Sequence, residues 1–163
     1  MKHLKLFENF NDIDSICEKF GIENYTINPD GSIDVQGNVD LSDMGLTKLP
    51  LRFGNVSGDF YCGNNQLISL EGAPQVVGRN FYCNDNQLTS LEGAPQKVGR
   101  NFTCSQNPVE VIWNLFKDYS MIDLFNDYDP IRDDKVIVLD RLNSFLKDIG
   151  KPTVTEVKGY KCI

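Results

Sequence analysis

The sequence Asn65-Gln66-Leu67-Ile68-Ser69-Leu70-Glu71-Gly72-Ala73-Pro74-Gln75 returns 21 residues later as Asn86-Gln87-Leu88-Thr89-Ser90-Leu91-Glu92-Gly93-Ala94-Pro95-Gln96, with a single substitution. Gly78-Arg79-Asn80-Phe81-Tyr82-Cys83 returns in the same register as Gly99-Arg100-Asn101-Phe102-Thr103-Cys104. A fixed period of roughly 20–29 residues constrains the fold more than any composition does. Each copy is one small unit that cannot bury its own apolar side chains, so copies must stack and share a core.

The register extends further than the near-identical copies. Shifting back 21 places aligns Val39 and Leu41 with Phe60 and Cys62, and Leu46 and Leu49 with Leu67 and Leu70. Three coils follow, 39–59, 60–80 and 81–101, with a partial one from Phe102. Phe60 and Cys62 alternate with Tyr61, so a short strand sends the first two inward and Tyr61 to the other face. Strands are expected at Val39–Leu41, Phe60–Cys62, Phe81–Cys83 and Phe102–Cys104, paired in parallel. Asn65, Asn86 and Asn107 form a predicted ladder whose amides bond backbone groups freed where the strand turns away; Met44 breaks it in the first coil. Ala73-Pro74 and Ala94-Pro95 suit an extended return, because proline fixes φ and so short a coil has no room for a full helix.

Each coil fits the pattern L-x-L-x-x-N-x-L-x-x-L, carried in the second by Phe60, Cys62, Asn65, Leu67 and Leu70. Over Val39 to Pro108 the chain thereby resembles leucine-rich-repeat proteins, and within them the short repeats of bacterial effectors and phage-encoded proteins. The resemblance implies an α/β solenoid with a short parallel β-sheet and a strand face that binds a protein.

The flanks read as covers for the solenoid ends, dividing a single domain into an N-terminal cap (1–36), repeats (37–108) and a C-terminal helical cap (109–163). Leu4, Phe7, Phe10, Ile13, Ile16, Cys17 and Phe20 form one helical stripe over 4–20, closed by Gly21. Residues 25–35 form a predicted hairpin about Pro29-Asp30-Gly31. Beyond Pro108 the apolar spacing turns helical through Val109, Ile112, Trp113, Phe116 and Tyr119. A second piece holds Ile122, Leu124, Phe125 and Tyr128, and a third spans Asp134 to Ile149, before an expected short strand at 153–157.

Composition excludes several classes. A net charge of −7 without a basic cluster argues against nucleic acid as the partner. No apolar run reaches a membrane-spanning length of about 18 residues, and Glu8, Asp12 and Asp14 interrupt any signal-peptide core. A reducing cytoplasm is therefore expected, that of a host if the source is a phage. Of five cysteines, Cys62, Cys83 and Cys104 share one repeat position, which reflects the repeat rather than disulfides or the close ligand pairs of a zinc site.

His3 is the sole histidine, and neither phosphate-loop signature is present. The acidic pairs Asp127/Asp129 and Asp133/Asp134 lack a calcium-loop pattern. No catalytic residues, cofactor or metal are assigned, so the expected activity is non-enzymatic.

The outward positions of the strands then define the candidate protein-binding face: Asp59, Tyr61, Asn80, Tyr82, Asn84, Asn101, Thr103 and Ser105. Tyrosines among small amides and hydroxyls suit such a surface, since tyrosine adds contact area at little entropic cost. The alternative is structural. Leu6-Phe7-Glu8-Asn9-Phe10 is similar to tags on proteins packaged into phage heads, and Ile16-Cys17-Glu18 suits a prohead-protease site, with the repeats then acting as a spacer in a virion-associated protein.

Overall fold

The computed structural model describes residues 12–132 and 136–163. It is a mixed α/β protein whose repeats build two parallel sheets rather than the one expected. The first contains β3 (Val39–Asp40), β5 (Phe60–Tyr61), β7 (Phe81–Tyr82) and β9 (Phe102–Thr103), paired in that order. Val39 faces Phe60, Phe60 faces Phe81 and Phe81 faces Phe102, so each step across the sheet is one sequence repeat. This is the predicted register.

The second sheet uses the return limb of each repeat. Its order is β1 (Tyr25–Ile27), β2 (Ile33–Val35), β4 (Phe53–Val56), β6 (Val76–Val77) and β8 (Lys97–Val98). The proline-containing segment is thus a turn into a strand, because Val56, Val77 and Val98 are buried and β-branched. Gly78 and Gly99 allow the coils to touch there: an added Cβ would press into the carbonyl oxygens of Ser57 and Gly78. The predicted hairpin forms, antiparallel with Ile27 facing Ile33, but it does more than cover an end. Its second strand pairs in parallel with β4 and starts the second sheet.

Between the sheets, Leu67, Leu70, Leu88 and Leu91 are completely buried and complete the core of each coil. Residues 12–19 are helical (α1) and bury Ile13 and Cys17, and Gly21 closes the helix with φ +63°. The Tyr25 hydroxyl donates to Asp14 at 2.6 Å and ties helix to hairpin. The earlier part of the predicted helix, with His3 and the Leu6–Phe10 tag, lies outside the described residues. Cys17 sits at the centre of the suggested cleavage motif and is wholly buried, so a protease acting there must first open the helix.

The C-terminal region is less helical than predicted. After α2 (Glu110–Phe116) and α3 (Ile122–Tyr128) comes a small sheet of β10 (Ile131–Arg132), β11 (Val136–Ile137) and β12 (Lys161–Cys162). The third predicted helix begins five residues late, at Leu139, and runs to Asp148 as α4. Val136-Ile137-Val138 is a β-branched run whose side chains crowd a helix and suit a strand. The tail strand is also displaced from 153–157. Val154 instead bonds Asn143 of α4 in both directions, at 2.8 and 2.9 Å, and Lys161–Cys162 pairs in parallel with β11.

One apolar cluster runs from Ile13 to Val157 through both sheets and the C-terminal elements. No helix among the described residues is long and apolar enough to cross a membrane.

Candidate interaction face

Alternation along the first sheet separates two aromatic columns. Inward, Phe60, Phe81 and Phe102 stack with centroids 5.6 and 5.4 Å apart. Trp113 of α2 ends that column, 4.8 Å from Phe102, which remains half-buried as the last ring. Outward, Tyr61 and Tyr82 stack at 5.1 Å with planes 5° apart. The register places Asp40 beyond Tyr61 and Thr103 beyond Tyr82, so the outward column reads Asp40, Tyr61, Tyr82, Thr103. Each tyrosine therefore spends one ring face on the other and turns its second face along the column.

The sequence predicts exposed tyrosines, whereas both are half-buried, because the repeat spacing forces the rings together. Desolvation, followed by the Asp59 charge, raises the Tyr61 phenol above its ordinary pKa.

Three predicted face residues prove to have work within the sheet. Asn38 Oδ1 accepts the Asp59 N–H at 2.8 Å. Asp59 Oδ1 accepts the Asn80 N–H at 2.9 Å and its amide at 2.6 Å. Asn80 Oδ1 does the same for Asn101, at 3.2 and 3.0 Å. This second ladder caps the strand starts, and its first member, Asn38, is missed by the sequence argument. The 21-residue spacing of Asn38, Asp59, Asn80 and Asn101 is the signal that could have found it.

Asp59 is buried at 8% exposure, against the prediction of an exposed carboxylate. Burial works to raise its pKa, but the Asn80 N–H and amide, with Arg79 and Arg100 nearby, outweigh it and hold the carboxyl below its ordinary range.

Of the other predicted face residues, Asn101 at the start of β9 is exposed and Thr103 within it half-buried, while at the far end of the strands Asn84 and Ser105 are half-buried. Asn84 donates to its neighbour Asp85 at 2.7 Å. Asp43, Asn64, Asp85 and Gln106 follow in left-handed conformation, φ 53–57°, where each strand breaks. Short polar side chains tolerate that region best. The predicted inner ladder lies just beyond. Asn86 donates to Cys62 and Cys83 carbonyls at 2.9 and 3.2 Å and accepts the Leu67 N–H at 2.9 Å. Asn65 reaches back to the Met44 and Leu46 N–H groups, so the first coil is capped without an asparagine of its own.

Cys62, Cys83 and Cys104 point into the core, with burial pushing the first two thiols far up and Cys104 up to about 12. They have the environment of packing groups rather than nucleophiles. Among the described residues no cluster of three or more His, Cys, Asp or Glu is placed to hold a metal.

A cleft of about 500 Å³ lies away from this face, where Gly72-Ala73 and Gly93-Ala94 turn beneath Asp123 and Asn126 of α3. Gln75 and Gln96 line it with Glu71, Glu92 and Arg52. It is open and polar. Volume alone does not outrank the ordered aromatic face. Comparison with protein-family models, curated proteins and solved structures finds no match at any of the three levels.

Proposed function

We propose that the chain is a short capped leucine-rich-repeat solenoid acting as a non-enzymatic protein-binding module, with the first sheet's outward face as the contact surface. The observation that carries this is the Tyr61–Tyr82 stack, held at 5.1 Å on a face whose backbone the two ladders fix in advance. Rings already ordered lose little freedom on binding, and aromatic side chains commonly dominate interface energetics. The in-register strands and the inner asparagine ladder support the solenoid assignment.

The test is partner capture from lysate with Tyr61→Ala/Tyr82→Ala, where loss of about 2 kcal/mol or more per ring is expected. Gln75→Ala/Gln96→Ala should leave capture intact. Since those glutamines line the large cleft, the opposite result moves the contact there and overturns the strand-face assignment.

A further inference from the structure

On the reading that the first sheet's outward face is the contact surface, we infer that its occupant is an extended segment presenting arginine. The guanidinium would lie flat on the free face of Tyr61, between that ring and Asp40. Three carboxylates, Asp40, Asp43 and Asp85, lie on the strands or where they turn away, beside the Asp59 already held by Asn80, and no lysine or arginine occupies the outward or turn positions of the four strands. Arg79 and Arg100 stand only at the strand entries, where they serve Asp59.

The column geometry selects the slot. With the rings 5° from parallel, Tyr82 covers one face of Tyr61 and the other turns toward Asp40, its register partner on β3. Asp40 is exposed, and only its Oδ1 is engaged, accepting the Ser42 N–H at 3.0 Å and the Ser42 hydroxyl. Its second oxygen has no protein donor among the described residues.

A planar cation can therefore stack on the phenol ring and pair with a carboxylate in one pose. Guanidinium does both, being flat, weakly hydrated and always charged; ammonium supplies only the charge. The opposite end of the column offers no such pair, since Tyr82 looks toward neutral Thr103. The polarity of the column makes β3 the anchoring end.

The probes are acetyl-Gly-Arg-Gly-Arg-Gly-amide and its lysine and citrulline counterparts, titrated into the isotopically labelled full chain at low salt. Saturable NMR shifts are expected at Asp40, Ser42 and Tyr61, with citrulline binding about tenfold or more weaker and lysine between the two. Asp40→Asn, which keeps the Ser42 acceptor, should weaken the arginine peptide about fivefold; Tyr61→Phe should retain it and Tyr61→Ala abolish it. Equal affinity for arginine and citrulline, or no saturable shift, overturns the arginine assignment.

A photocrosslinker replacing Thr103, exposed to lysate, separates the two levels. A crosslinked partner lost in Tyr61→Ala/Tyr82→Ala but retained in Asp40→Asn, with the arginine peptide silent, keeps the binding face and discards the cation. An arginine peptide that binds Tyr61→Ala/Tyr82→Ala as well as wild type overturns both.

Discussion

The two aromatic columns of the first sheet arise from the same strands and differ only in the side to which they point. Phe60, Phe81 and Phe102 stack 5.4–5.6 Å apart at interplanar angles of 7 and 14°, and Tyr61 and Tyr82 stack at 5.1 Å and 5°. Free aromatic pairs prefer offset or edge-to-face arrangements, as the Phe116–Phe145 pair of the C-terminal region adopts at 83°. Near-parallel stacking in both columns is therefore imposed by strands roughly 4.8 Å apart carrying the same residue. Burial is what separates them: Phe60 and Phe81 are fully covered, the tyrosines half-covered. The inner column stabilises the stack of coils, while the outer one repeats the same stacking on the half-covered side of the sheet.

The sharpest way to break this comparison is to truncate one ring from each column. Phe81→Ala removes a side chain enclosed by Phe60 and Phe102 and should cost about 3–5 kcal/mol. Tyr82→Ala should cost no more than ~1 kcal/mol, because the site opens to water rather than leaving a cavity. Urea unfolding of both variants decides the matter; similar losses would mean that the tyrosines are structural and that the outer face holds no reserve for binding.

The ladders repeat the contrast at smaller amplitude. Asn86→Ala leaves the Leu67 N–H bare inside the core and removes the shorter of two donors to the Cys62 carbonyl, which keeps Asn65 at 3.2 Å, so a loss of about 1–3 kcal/mol is expected. Asn80→Ala frees the Asn101 N–H, which is exposed so that water can replace the bond, and removes the amide donor to Asp59 while the backbone N–H donor remains, so a smaller loss of about 1 kcal/mol is expected. Thermal melts in one buffer measure the difference. An Asn80 variant as damaging as the Asn86 variant would place the outer ladder among the core supports.

How much of this was legible depends on whether repetition or tertiary context decides. Strand positions, parallel register and the Asn65/Asn86/Asn107 ladder follow from the period, since equivalent residues must meet when coils stack. The second sheet was missed because Val76–Val77 and Lys97–Val98 follow Pro-Gln and are only two residues long, too short for alternation to show. In the C-terminal region no repeat enforces register. There Val136–Ile137 satisfies helical spacing as well as strand propensity, and its pairing with residues about 25 positions away settles it. On the candidate face, alternation placed Tyr61 and Tyr82 outward, but side-chain type misread Asp59, because a carboxylate that caps the next coil has the same composition as one waiting for a ligand.

That distinction yields the smallest prediction, concerning pH. The folded-state pKa of Asp59 is depressed below its unfolded value, so its contribution to stability is fully present above the ordinary carboxylate range, near ~3.9, and is lost as pH falls through the folded value. Asp30 and Asp34 are shifted in the same direction, so the acid loss of the wild type alone cannot be assigned. Asp59→Asn isolates it: the amide oxygen still accepts from Asn80, as Asn80 itself does for Asn101, but nothing titrates. At pH 7 the variant should melt slightly below the wild type. As pH drops below 4 the gap should close, because only the wild type loses a charge-assisted bond. A gap that stays constant, or widens in acid, would mean that Asp59 acts through shape alone and that the charge on this face is free for a partner.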